Sequence, residues 1–426
     1  RPDPGPAGPV LIRGARVYDG RTDQLSPAQD VEIDQGRVVR LGARLAGAAG
    51  GTTIDAGGRT LMPGLIDMHW HSLFATVPQS TLLSSGIAYL TLHAARSNQD
   101  ALLRGFTSLR DVGGNVFAIK QATDEGLIDG PRLYPSGPYI SQTAGHGDFR
   151  SSLDIPAEPD APLDYYGRTG TTLVADGVPQ VIQRTREALR MGATQIKAMA
   201  GGGVSSYFDP LDVTQYTFEE MKAIVDVART WNTYVTVHAF SDAAVRQAIE
   251  AGVRCIEHGH LLGEDTLRLM VERDVWLSMQ PILDDEDAIP FPEGSSNRAK
   301  YIQVADGTER VYRLAKQLGV KMVFGTDTLF DAALALKQGK QLAKLGRWFS
   351  PHEALVQATS RAGELMKLCG PRDPYPGTLG VVEAGAHADL LLVSGNPLEN
   401  LGLVADPERN FAMIMKAGRV YKNDVG

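Results

Sequence analysis

The chain is predicted to be an α/β protein whose largest part is a (β/α)8 barrel. Short apolar runs alternate with helical periods along most of its length, as a parallel βα architecture requires. Eight of those runs read as barrel strands, centred on Leu65, Ser108, Leu133, Ile196, Val235, Ile256, Leu277 and Val323. Several of them end in a histidine, a lysine or an aspartate, and the C-terminal ends of barrel strands are where such folds carry their chemistry.

The chain opens at Arg1, and the stretch that follows is too rich in Pro and Gly to fold by itself. Removal of an export signal or simple trimming would each leave such a start, so a cytoplasmic and an exported location both stay open. Residues 10–18 and 31–33 read as strands, and Asp34-Gln35-Gly36 before residues 37–41 is a hairpin turn. Residues 388–393, 413–416 and 419–421 repeat that texture at the other end. Between them, Thr217-Phe218-Glu219-Glu220 is a capping box opening an amphipathic run to Trp231, Ser241-Asp242 caps a helix that ends at Gly252, and Pro351-His352-Glu353 opens a third. Nothing repeats beyond the βα unit. Two long connections follow strands and are expected over the mouth of the barrel. The first, from Gln142 to about Val174, holds His146, Phe149, Tyr165 and Tyr166 and is expected to act as a lid. The second, from Leu283 to about Tyr301, carries Asp284-Asp285-Glu286-Asp287, expected to be solvated.

With 426 residues, 43% of them hydrophobic, the chain can bury a large core and exceeds the ~250 residues of a minimal barrel, which leaves room for a second small domain. The net charge of −8 and the lack of a basic cluster argue against a nucleic-acid partner. No apolar run reaches the ~18–20 residues of a membrane span. Cys255 and Cys369 are the only cysteines, and with Cys255 inside a predicted strand both read as buried thiols.

His69 and His71 stand two residues apart at the end of the first barrel strand, so a strand's period of two sends both imidazoles to one side as a chelating pair. Lys197, His238, His258 and Asp327 each end a later run. On parallel strands of one barrel all six would converge on one mouth. Any one of them alone is more often structural; the ordered set is what carries weight. His93, His352 and His387 read as structural, His260 lies a step past its strand end and is not assigned as a ligand, and Arg110-Asp111 reads as a buried salt link.

An HxH pair followed by Lys, His, His and Asp at strand ends resembles the binuclear amidohydrolase superfamily, over nearly the whole chain. The resemblance implies two divalent metal ions, of which zinc suits imidazole and carboxylate best. His69, His71 and Asp327 would hold one and His238 and His258 the other. A lysine ammonium would be repelled by two cations, and apolar neighbours lower its pKa; in the superfamily the freed amine takes up carbon dioxide, which makes Lys197 an N6-carboxylated bridge. Two metals would lower the pKa of a shared water toward ~7, with Asp327 as its base and then as acid to the leaving amine. His146, between Gly145 and Gly147, is the candidate oxyanion donor. The resemblance also implies that residues 9–60 and 377–426 pair into one small β-sandwich beside a barrel of residues 61–376, with Gly385-Ala386-His387-Ala388-Asp389-Leu390 and Gly395-Asn396-Pro397-Leu398 as its signature. It further implies a homo-oligomer, an octamer among the assemblies it suggests.

The strings Thr107-Ser108-Leu109-Arg110-Asp111-Val112-Gly113-Gly114, Ala144-Gly145-His146-Gly147-Asp148 and Lys197-Ala198-Met199-Ala200-Gly201-Gly202-Gly203 look like the Xaa-Pro dipeptidase and carboxypeptidase-like group, some members of which hydrolyse ochratoxin A. One residue departs from that pattern. Phe240 stands where relatives often carry a tyrosine that contacts the substrate carboxylate, and the more apolar wall leans toward a hydrophobic or aromatic leaving residue. The expected reaction is hydrolysis of the amide to a C-terminal hydrophobic or aromatic L-amino acid in N-acyl amino acids or dipeptides, ochratoxin A included. The alternatives are an Xaa-Pro or Xaa-Arg/Lys dipeptidase, a mononuclear imidazolonepropionase-like hydrolase, which lacks the bridging lysine, and a non-catalytic family member, which typically loses ligands.

Overall fold

The computed structural model describes residues 8–158, 161–206 and 208–425; the expectation for the first residues of the chain falls mostly outside them. The fold is mixed α/β. Strands β1 (Val10–Val17), β2 (Gln29–Asp34), β3 (Arg37–Gly42), β4 (Thr52–Asp55) and β5 (Thr60–Pro63) open the chain. The parallel strands are β6 (Leu65–Trp70), β7 (Phe106–Asp111), β8 (Arg132–Pro135), β9 (Tyr139–Ser141), β10 (Thr172–Val174), β11 (Ile196–Met199), β12 (Val235–Ala239), β13 (Cys255–His258), β14 (Trp276–Met279) and β15 (Met322–Phe324). β16 (Leu390–Val393), β17 (Phe411–Lys416) and β18 (Arg419–Asn423) close it.

The two ends of the chain meet in one eight-stranded sheet of order β18-β17-β16-β5-β1-β2-β3, with β4 also on β1. The hairpin between β2 and β3 turns where expected: Gln35 and Gly36 have φ of 48° and 73°, the pair of positive values that a two-residue turn needs to match strand twist. Leu390 and Leu392 on β16, with Met413 and Met415 on β17, fill a core with Ile12, Val31 and Ile33. The alternate residues Leu391, Val393 and Ile414 belong instead to the large core shared with the parallel strands. Period-two alternation thus lets β16 and β17 serve both cores.

All eight predicted strand centres fall inside strands of two parallel sheets, β6-β7-β8 and β10-β9-β11-β12-β13-β14-β15. β9 and β10 were not expected; three residues each are too short to show a period, and Gly137-Pro138 hides the start of β9. The sheets approach at both margins: Thr194 N donates to Pro135 O at 2.8 Å, and Asp327 N donates to His69 O at 2.8 Å. The helices begin as their caps dictate. Phe218–Thr230 opens on the Thr217–Glu220 capping box, Asp242–Ala251 runs from Ser241 to Gly252, and Pro351–Gln357 opens on a second capping box at Ser350. Among the described residues no helix is long and apolar enough to cross a membrane. Both cysteines are buried and free.

The long connections depart from expectation. The first contains a short helix, Tyr165–Thr169, and β10. Tyr165 and Tyr166 are spent on anchoring it, their hydroxyls bonding Ile87 N and Leu83 O at 2.8 and 2.9 Å, so that only His146 and Phe149 of its expected lid residues reach the cavity below. In the second, the acidic run is solvated only in part: Asp284 and Glu286 are exposed but Asp287 is buried, and Asp284 pairs with Arg298 while Asp285, Glu286 and Asp287 pair with lysines of residues 337–344.

Candidate active site

His69, His71, His146, Lys197, His238, Phe240, His258 and Asp327 all line one cavity of about 1080 Å³, counted with the space open at its mouth. The residues come from β6, β11, β12, β13 and β15 and the segments just beyond their ends, and His146 from the loop after β9. Gly325 lets β15 reach β6, since a side chain there would meet His69 Cβ at 2.5 Å. Asp327 and His258 have φ of 50° and 78°, a conformation that non-glycine residues rarely adopt and that tends to collect at functional sites.

His69 Nε2 lies 3.3 Å from His71 Nε2, and Asp327 Oδ1 lies 3.3 and 3.4 Å from the two. Three donor atoms at those separations match a shared cation, because tetrahedral ligands about 2.0–2.1 Å from zinc stand roughly 3.3–3.4 Å apart. The other ring nitrogens fit as well. His69 Nδ1 bonds Glu257 Oε2 at 2.8 Å, His258 Nδ1 bonds Gln280 Oε1 at 2.7 Å and His238 Nε2 bonds Gly202 O at 3.0 Å. Each acceptor takes the ring's one proton, which leaves a lone pair on His69 Nε2, His258 Nε2 and His238 Nδ1. His71 Nδ1 has no partner. His69, His258 and Asp327 also offer three ligand atoms within 4.8 Å of one another.

Electrostatics favours neutral rings at His71, His238 and His258, whereas at His69 burial acts to lower the pKa but Asp327 and Glu257 outweigh it and raise it. Burial lowers His71 to about 4 and pushes His238 and His258 well below the usual imidazole value. Burial also brings Lys197 down to about 8, although Glu257 and Asp327 pull the other way. Lys197 Nζ has no hydrogen bond or salt bridge among the described residues. For Asp327 burial acts to raise the pKa, but His69, His71 and His258 outweigh it and hold the carboxyl well below its ordinary range.

Beneath the histidines runs a buried chain that the sequence did not disclose. Glu257 Oε1 accepts from Arg110 Nη2 at 2.5 Å and from Thr236 Oγ1, while Arg110 Nε donates to Met68 O at 2.6 Å. The predicted salt link is therefore Arg110 to Glu257 and not to Asp111, which accepts from Ser72 N and Gly113 N. Glu257 was passed over because neighbours on a strand point to opposite faces; the left-handed backbone at His258 turns that ring back beside it.

His146 lies flat on His238, ring centres 3.9 Å apart and planes at 13°. Its Nδ1 bonds Ser206 Oγ at 2.8 Å and Asp209 Oδ2 at 3.2 Å, and Gly203 makes room for it, since a Cβ there would sit 2.0 Å from the ring. Asp209, Ser206 and Gln280 were missed; the run Gly201-Gly202-Gly203 was the only signal near the first two. Phe240 is buried and stacks on His258 at 4.9 Å. His260 stands behind Phe240, its Nε2 bonding Gln280 O, outside the cavity lining. His93 packs on Tyr89, His352 bonds the Tyr18 hydroxyl and His387 bonds Arg132, none of them at the cavity.

The profile of the Amidohydrolase family matches residues 60–422. Ochratoxinase from Aspergillus niger is 32% identical over 383 residues, 85% of this chain and 75% of that protein. Its crystal structure superimposes with a TM-score of 0.85 at 27% identity, over 98% of this chain and 96% of that one. A prolidase complexed with N-methylphosphonate-L-proline is 35% identical, with a TM-score of 0.89 over 97% of this chain and all of that one (100%). A Xaa-Pro dipeptidase with methionine bound in its active site is 26% identical, with a TM-score of 0.83 over 98% and 100%. With a match of that extent and a site of that form, the chain belongs to the amidohydrolase family, in its prolidase-like branch, and is a hydrolase of amide bonds.

Proposed function

We propose that the chain is a zinc-dependent amidohydrolase that releases a C-terminal hydrophobic or aromatic L-amino acid, phenylalanine above all, from N-acyl amino acids or dipeptides, ochratoxin A among them. The two parallel sheets are two arcs of one (β/α)8 barrel over residues 61–376, a reading supported by the hydrogen bonds at both margins. Residues 9–60 and 377–426 form the small β-sandwich beside it. His69, His71 and Asp327 would hold one metal, and His238 and His258 the other. Lys197, whose lowered pKa leaves part of its amine unprotonated near neutral pH, would add to carbon dioxide, lose a proton and serve as an anionic carbamate ligand to both.

The metals, when bound, polarise the scissile carbonyl and lower the pKa of the attacking water. Asp327 takes the proton of that water on its carboxylate and returns it to the leaving nitrogen as the C–N bond breaks. His146 donates from Nε2 to the developing oxyanion. Ser206 Oγ and Asp209 Oδ2, both on Nδ1, orient the ring for that donation.

The observation that carries the substrate reading is Phe240 lying on the His258 ring, in a cavity that Phe74, Tyr139, Phe149, Ile289 and Phe291 also line. An apolar wall against the reacting centre favours an apolar leaving residue. The ochratoxinase relative points the same way; the prolidase with its proline phosphonate favours the second reading, an Xaa-Pro dipeptidase. A panel of N-acyl and dipeptide substrates differing only in the C-terminal residue decides between them. Phenylalanine should lead by kcat/KM; a lead for proline selects the second reading, and a lead for lysine or arginine refutes both.

A further inference from the structure

The acidic run after β14 is fastened to residues 337–344 across the cavity. Asp287 Oδ1 accepts from Lys337 Nζ at 2.7 Å, and its Oδ2 lies 3.0 Å from Lys340 Nζ and 3.0 Å from Lys344 Nζ. Asp285 Oδ2 meets Lys344 at 2.8 Å and Glu286 meets Lys340 at 2.9 Å. Three carboxylates therefore face three ammoniums, with Asp287 at the centre and buried. Burial acts to raise its pKa, but the lysines outweigh that and hold the carboxyl below its ordinary range, so it stays charged.

Both sides of this clasp contribute to the cavity wall: Leu283, Ile289 and Phe291 from the acidic loop, Leu334 and Gln341 from the lysine-bearing segment. The start of the loop is tied independently, by Arg298 on Asp284 and by the Tyr301 hydroxyl on Leu283 O at 2.8 Å. The stretch between has the lysines as its hold on the opposite wall. Without the Asp287 charge, Lys337 loses its only ion-pair partner among the described residues, and Lys340 and Lys344 keep only Glu286 and Asp285.

We propose that Asp287 is a specificity-determining residue, which draws the loop of residues 283–291 against residues 334–344 and so closes the apolar wall on which the leaving residue packs. The proposal rests on the substrate reading above. A large apolar residue gains from a closed wall and a small one does not, so the clasp sets the ratio between them. Loss of one methylene-sized apolar contact is worth roughly 10–200-fold in enzyme discrimination, so the effect is measurable.

The test compares wild type with Asp287→Asn and Lys337→Met on N-acyl-L-phenylalanine and N-acyl-L-alanine, with metal content and hydrogen exchange of residues 283–291 measured on the same preparations. Asp287→Asn should lower the phenylalanine-to-alanine ratio of kcat/KM at least tenfold, mainly through a higher KM for the phenylalanine substrate, with metal content retained and exchange of the loop accelerated. Lys337→Met, which leaves two ammoniums on Asp287, should fall between. A ratio within twofold of wild type in Asp287→Asn overturns the proposal, whatever the exchange does. A wild-type enzyme with no preference for phenylalanine refutes the substrate reading instead; loop exchange alone then judges the clasp, and unchanged exchange in Asp287→Asn overturns it.

Discussion

Glu257→Gln is the most informative single substitution. Both carboxylate oxygens of Glu257 act only as acceptors, one from His69 Nδ1 at 2.8 Å, the other from Arg110 Nη2 at 2.5 Å and from Thr236 Oγ1. A glutamine of the same shape must place an amide NH2 on one of them. Facing His69, it forces the imidazole proton onto Nε2, the atom aimed at His71 and Asp327, and the ligand lone pair is lost. Facing Arg110 it would set donor against donors from Arg110 and Thr236, so it faces His69; in either orientation the fully buried guanidinium loses its counter-charge. Loss of such a partner to a ligand histidine costs 10–100-fold in metal affinity, about 1.4–2.7 kcal/mol. Removal of one member of a buried ion pair costs about 3–5 kcal/mol of stability. Zinc affinity by chelator competition and thermal unfolding of the metal-free protein measure the two separately. Adding Arg110→Met removes the stranded charge, so the double variant should regain stability while its affinity stays low. Unchanged zinc affinity in folded Glu257→Gln refutes the tautomer argument. Recovery of affinity together with stability in the double variant refutes it too.

Asp327→Asn should keep the fold and much of the metal yet lose most turnover, since it removes the group that moves the proton; an unchanged kcat assigns that step elsewhere. Lys197→Ala should be inactive and should regain part of its rate with short carboxylic acids, whereas full activity without them eliminates the carbamate. His146→Ala should lower kcat by about 10²–10³ with a smaller change in KM, and a loss confined to KM contradicts the oxyanion role. Asp389 is tied to Arg132 at 2.9 Å; burial acts to raise its pKa, but Arg132 and His387 bring it below the ordinary value. Because the folded pKa lies below the unfolded one, the stabilisation is present above pH ~4 and is lost as pH falls through the folded value. Asp389→Asn should therefore unfold at a lower temperature than wild type at pH 7, by an amount that shrinks below pH ~4; a constant gap contradicts the linkage.

The amino-acid sequence by itself determined the eight strands that carry the site, though not β9 and β10, and the residues at their ends. Apolar runs, capping boxes and the spacing of His69 and His71 are local patterns, set by backbone geometry and by water's exclusion from apolar faces, and all eight strand centres fall in strands. Residues gathered by that logic line one cavity. Contacts between distant segments had no such local mark, and tertiary structure alone decided them. Glu257 reaches His69 across 188 residues, and His258 beside it takes a positive φ that no period reveals. Asp209 acquires its place under His146 from the path of a loop. The acidic run resembled any solvated turn until lysines from a later segment, 50 residues away in the case of Lys337, closed on Asp287. A charge's partner depends on where another segment folds, and the sequence order of the two does not carry that information.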